Sequence, residues 1–216
     1  MGKLQMKSIS EIVQIGPVIP VLTLESVEQG EKVVNALYKG GVKVLEITLR
    51  TSAGLQAIKC ASQFSSDIVV GVGTLTTAVQ VEEAKRAGAT FGVSPGLTRD
   101  LHWAAKDIGL PLLPGVMTPS DILIALSLGY DIVKFFPAQL AGGLDMLRAF
   151  SDPFPMLRFC PTGGITQELA GSFLSLPNVA CIGGSWLTPK EAMTAQNWGE
   201  VTRLACAASQ LAQHKT

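Results

Sequence analysis

Histidine is nearly missing from this chain: His102 and His214 are the only two in 216 residues. Neither has cysteine or carboxylate neighbours at metal-ligand spacing, so the sequence builds no zinc or iron centre. An excess of either charge is missing too. Seventeen acidic and seventeen basic residues cancel, which removes the basic footprint that nucleic acid or an acidic membrane surface requires. No apolar run is long enough to span a bilayer, and residues 1–11 hold no apolar core of a secretory signal. Met1-Gly2 opens like an acylation site, but Met6 stands where Ser or Thr is needed. The nearest approach to a dinucleotide fingerprint, Gly71-Val72-Gly73, lacks its third glycine. Cysteines are few. Cys60, Cys160, Cys181 and Cys206 form no C-x-x-C pair and read as four buried thiols of a reducing compartment. The expectation is a soluble cytoplasmic protein with no metal, no nucleic acid and no membrane partner. Aromatics supply only 6% of residues against 47% hydrophobic in all, so the core must be aliphatic and alanine-rich.

What is present is alternation. Short apolar runs at residues 17–21, 44–49, 68–72, 91–93, 112–114, 132–136, 158–161 and 180–182 read as strands. Helix-like stretches lie between them, at residues 26–38, 52–64, 78–87, 99–107, 120–128, 144–150 and 167–174, with a longer one over 189–213. Gly40-Gly41, Gly88, Gly109 and Gly129 each follow a helical stretch and precede a strand, where a left-handed residue ends a helix. Such a repeat implies a parallel sheet covered by helices. With eight strands it predicts a (β/α)₈ barrel, one domain over residues 1–216 with an extra N-terminal helix. An open parallel sheet is the alternative.

Strands buried on both faces should be almost wholly apolar. The second strand is not: Glu46, Thr48 and Arg50 alternate with Leu45, Ile47 and Leu49. The apolar face must meet the helices, so Glu46 and Arg50 are predicted to point toward the barrel interior or its mouth. A buried acid and base are costly unless paired or used; a structural Glu46–Arg50 pair is the plain alternative. The sixth strand places Lys134 alone in the run Ile132-Val133-Lys134-Phe135-Phe136. Burial disfavours the ammonium and favours the free amine that attacks a ketone. The alternative is a buried stem with its head on a partner such as Glu46. Together, a buried amine and an inward acid make a nucleophile with a proton-transfer group.

The last two strands end in Pro161-Thr162-Gly163-Gly164 and Gly183-Gly184-Ser185-Trp186. Loops after the last two strands of such barrels often bind phosphate through backbone N–H groups. Thr74 and Pro95 end the third and fourth strands on the same rim, and read by themselves as turn residues. Trp103, Trp186 and Trp198 read as packing or interface residues.

These segments, with Glu46-Ile47-Thr48-Leu49-Arg50-Thr51, Gly73-Thr74, Ser94-Pro95-Gly96 and Lys134-Phe135-Phe136-Pro137-Ala138, together resemble the 2-keto-3-deoxy-6-phosphogluconate (KDPG) aldolases, which also act on 4-hydroxy-2-oxoglutarate (KHG). The match runs over essentially the whole chain. The resemblance implies a class I aldolase on a (β/α)₈ barrel, cofactor-free and homotrimeric, acting on a phosphorylated 2-keto-3-deoxy sugar acid and pyruvate. It implies Lys134 as the Schiff-base lysine and Glu46 as the acid/base. Arg50 and Thr74 are implied to bind pyruvate, and Pro95, Phe136 and Thr162 to contact substrate. Gly163, Gly164, Gly184 and Ser185 are implied as the phosphate cradle. Two rival readings are an aldolase for the galactonate-derived epimer and a non-catalytic sugar-phosphate-binding barrel.

Overall fold

The computed structural model describes residues 7–212; His214, and the end of the long helix expected over 189–213, lie outside them. The strands are β1 (Val18–Leu22), β2 (Val44–Thr48), β3 (Val69–Gly73), β4 (Phe91–Val93), β5 (Leu112–Leu113), β6 (Gly115–Val116), β7 (Ile132–Phe135), β8 (Arg158–Pro161) and β9 (Ile182–Gly184). The helices are α1 (Ile9–Val13), α2 (Val27–Lys39), α3 (Gly54–Ser62), α4 (Ala78–Ala87), α5 (Arg99–Asp107), α6 (Pro119–Ser127), α7 (Gly143–Ser151), α8 (Gln167–Leu174), α9 (Lys190–Thr194) and α10 (Trp198–Ser209).

All of the strand pairs are parallel. Six strands form one sheet in the order β5-β4-β3-β2-β1-β9, and three form another in the order β6-β7-β8. The fifth strand expected over 112–114 is β5, and a second short strand, β6, follows it beyond the expected bounds. Pro114 separates β5 from β6, because a proline has no N–H to give a ladder. Its carbonyl still accepts from the Lys134 N–H at 2.8 Å. Between β8 and β9, isolated parallel bridges pair Phe159 with Val179 and Thr162 with Gly183.

Strand parity divides the core in two. Ile19, Val44, Phe91, Val93, Leu113, Ile132, Cys160 and Cys181 form an inner cluster. Their neighbours Val18, Leu45, Val133 and Phe159 join the helix faces in an outer one. Helix α1 starts at Ser8, which forms a capping box with Glu11, and its Ile12 and Val13 belong to the inner cluster. The outer layer is tight where α2 meets α10. A Cβ on Gly40 would lie 2.4 Å from the Ala205 Cβ, so Gly40 serves close packing, while Gly88 takes the left-handed turn that ends α4 (φ 101°).

The expected C-terminal helix is two. Gln196 turns left-handed (φ 52°) between α9 and α10, and the Asn197 side chain accepts from the Glu200 N–H to start α10. The thiols differ from expectation as well. Cys160 and Cys181 are buried, but Cys60 is half-buried and Cys206 exposed, because each lies near the solvent side of a surface helix rather than in a strand. No helix among the described residues is long and apolar enough to cross a membrane.

Candidate active site

Parity carries two charged side chains into the interior. On β7, Ile132 faces the inner cluster, so Lys134, two residues on, projects the same way. On β2 the same relation links Val44 and Glu46. The result is a buried pair, Lys134 Nζ to Glu46 Oε1 at 3.7 Å, with 5% and 4% of the two side chains exposed. Glu46 therefore faces Lys134 and not Arg50. The strand ends at Thr48, and Arg50 sits exposed in the turn beyond. The strand alternation stops before Arg50.

Nothing hydrogen-bonds the buried Glu46 Oε1 among the described residues. An oxygen desolvated and left without a donor is costly, and it is free to take a proton from a bound molecule. Two hydroxyls brace the strand that carries it: Thr48 Oγ1 donates to the Leu22 carbonyl at 2.9 Å and lies 3.1 Å from Thr23 Oγ1. Above the lysine, Nζ is 5.1 Å from the centre of the Phe136 ring, within range of a cation–π contact.

The other expected residues gather at the same ends of the strands. Gly115 pairs with Lys134 in register, and a Cβ on it would lie 2.3 Å from the Pro95 carbonyl group. Pro95 is thereby held close to the lysine strand. Thr74 directly follows β3 in a left-handed conformation (φ 63°). That is a costly backbone for a β-branched residue, of the kind that clusters at functional sites.

The two glycine loops are also neighbours. Thr162 is buried and bridges Gly183. Its carbonyl accepts from Ala138 N–H at 2.8 Å, and that of Gly163 from Gln139 N–H at 3.1 Å. Gly163 and Gly164 both take positive φ, 102° and 76°, and Phe136 lies against Gly163. Gly184 is buried, and a Cβ there would meet the Trp186 ring at 2.0 Å; Ser185 is exposed at the loop tip.

Three features escaped the sequence reading. Ser94 is fully buried with an unpartnered hydroxyl. Cys160 and Cys181 bring their sulfurs to 3.4 Å inside the sheet layer, where the Cys160 contact and then burial push the Cys181 thiol up. Strand β3 carries glycine at alternate positions, Gly71 and Gly73, a two-residue period readable in the sequence. His102 on α5 instead bonds the Tyr130 hydroxyl through Nδ1 at 2.8 Å, and burial, then Lys106, hold it below the usual imidazole range. Among the described residues no group of three or more His, Cys, Asp and Glu gathers to hold a metal.

The family model for KDPG and KHG aldolase matches residues 9–204. A 2-dehydro-3-deoxy-phosphogluconate aldolase of Pseudoalteromonas atlantica strain T6c is 43% identical over 198 residues, 92% of each chain. Two crystal structures are similar throughout. One, a KDPG aldolase of Legionella pneumophila with pyruvate captured at low pH as a covalent carbinolamine, is 42% identical (TM-score 0.90, 93% of this chain and 98% of that one). The other, a 2-keto-3-deoxy-6-phosphogluconate aldolase of Zymomonas mobilis ZM4 with 3-phosphoglycerate, is 41% identical (TM-score 0.91, 97% and 98%). With a buried lysine facing an inward glutamate, and a family match over 9–204, this chain belongs to the KDPG and KHG aldolase family.

Proposed function

We propose that the chain is a class I aldolase that cleaves KDPG to pyruvate and glyceraldehyde 3-phosphate, and KHG to pyruvate and glyoxylate. The observation that carries this reading is the buried Lys134–Glu46 pair at 3.7 Å. Lys134 attacks the C2 ketone, and loss of water gives an iminium that draws electrons from C3. Glu46 removes the C4 hydroxyl proton, the C3–C4 bond breaks and the aldehyde leaves. The same carboxyl protonates the enamine at C3, and water releases pyruvate and the free amine.

Arg50 holds the pyruvate carboxylate in a bidentate grip with Thr74 beside it, which keeps the ketone near the amine. Pro95, Phe136 and Thr162 shape the walls. The backbone at Gly163, Gly164 and Gly184, with the Ser185 hydroxyl, cradles the phosphate. The bridges between β8 and β9 and the short break at Pro114 support one closed (β/α)₈ barrel as a single domain. The exposed apolar side chains Trp103 on α5 and Leu123 and Ile124 on α6 support self-association, as a homotrimer.

The test is pyruvate release from a panel of 2-keto-3-deoxy acids with a chelator present throughout. An iminium is its own electron sink, so chelation leaves turnover unchanged. No release from any member overturns the aldolase reading; loss to chelator with restoration by zinc or magnesium points to a metal-dependent enzyme. The cradle has its own test. Ser185→Asp sets a negative charge against the phosphate, so KM for the phosphorylated substrate should rise at least about tenfold. KM for KHG, which has no phosphate, should barely move. Equal losses on both mean that the loop serves only the fold.

A further inference from the structure

We propose that Gly73 is a positioning residue for proton transfer: the side chain it lacks is the slot in which the Glu46 carboxylate lies beside Lys134. This deepens the aldolase reading and rests on it. A Cβ at Gly73 would sit 2.0 Å from Glu46 Oε1 and 2.7 Å from its Cδ and Cγ. The whole outer half of the side chain therefore crosses the face of this residue. Gly73 is paired with Thr48, and Glu46 with Gly71, so the glutamate leans diagonally along β3 toward its end.

Backbone freedom does not explain the glycine. Gly73 is not among the residues with positive φ, and extended strand backbone accepts alanine without strain. Space explains it. Gly71, on the same face, opens room for the fully buried Phe91 ring, whose Cζ would stand 2.2 Å from an added Cβ. The run Val70-Gly71-Val72-Gly73 thus sends two valines to the helices and leaves two gaps inward. An aromatic ring fills the deeper gap and the acid/base fills the one at the mouth. Elsewhere at this end Thr162 stands over Gly183, at 2.3 Å from its would-be Cβ, and Pro95 over Gly115. At this end Glu46 and Thr162 are seated by their side chains on glycines of the adjoining strand, whereas Gly115 admits the Pro95 backbone.

Filling the gap should move the flexible side chain and spare the strand. Gly73→Ala is expected to fold, to trap pyruvate on Lys134 with borohydride as the parent does, and to lose about 10²-fold in kcat, as a displacement near 1 Å costs. Exchange of the pyruvate methyl protons with deuterated water should fall in parallel. Gly71→Ala serves as comparison: it should lower the melting temperature and leave the ratio of exchange to trapping unchanged. A thermal-melt cycle decides the matter even if Gly73→Ala is unstable. In a Glu46→Ala background the slot is empty, so Gly73→Ala should then cost no stability. Parent-like exchange in Gly73→Ala overturns the proposal. So does an equal loss of melting temperature with and without the Glu46 side chain, or the same exchange-to-trapping split in Gly71→Ala. Failure of the parent to trap pyruvate overturns the aldolase reading instead, and the melt cycle still reports on the slot.

Discussion

Lys134→Ala is expected to leave a protein that no longer gains mass from pyruvate and borohydride and whose turnover falls on the order of 10⁴–10⁶-fold, as when a covalent nucleophile is removed. No general base or binding residue replaces an amine that must bond to C2. The structure adds a consequence for stability. Lys134 is the charged partner of the buried Glu46, so its removal strands a carboxylate in the interior. Such a loss costs about 3–5 kcal/mol, which for a chain of this size lowers the melting temperature by roughly 10 °C. Glu46→Gln in the same background removes the stranded charge and should recover part of the fall. Intact-protein mass spectrometry and thermal melts check both parts. If Lys134→Ala still traps pyruvate, another lysine is the nucleophile, and the assignment of Lys134 is wrong.

The chemistry of the site was legible because the environment was so uniform. In strands buried on both faces a single lysine, or an acid within an alternating run, has no plain place to go, and both Lys134 and Glu46 lie inside as parity requires. Parity stops short of Arg50, because β2 ends at Thr48 and Arg50 lies exposed in the turn just beyond the end of the strand. Proline and a capping residue marked two element boundaries that periodicity missed. Pro114 stands between the expected strand and the unexpected β6, and Asn197 restarts a helix that reads as continuous when only its apolar spacing is considered. What the sequence conceals most is the role of an absent side chain. Gly73 and Gly115 look like turn residues or weak strand formers, and only the distance from a would-be Cβ to Glu46 or Pro95 shows what each makes room for.

Glu46→Gln separates capture from proton transfer. The amide keeps the shape that crosses Gly73 and still offers hydrogen bonds, but it takes no proton from a C4 hydroxyl and gives none to an enamine. General acid–base catalysis is typically worth about 10²–10⁴-fold, so cleavage should fall by that much or more. Nucleophilic attack needs only the Lys134 amine, which the substitution leaves in place at the same depth. Borohydride should therefore still reduce a pyruvate adduct onto Lys134, more slowly to the extent that Glu46 also shuttles protons while the imine forms. Methyl-proton exchange in deuterated water isolates the second half of the cycle, since it requires an enamine to form and be reprotonated without any bond cleavage. Its rate should drop together with turnover, while the trapped mass approaches one adduct per chain. Near-normal exchange and cleavage in Glu46→Gln would make Glu46 only the buried counter-charge of Lys134. The proton would then have to move through another group.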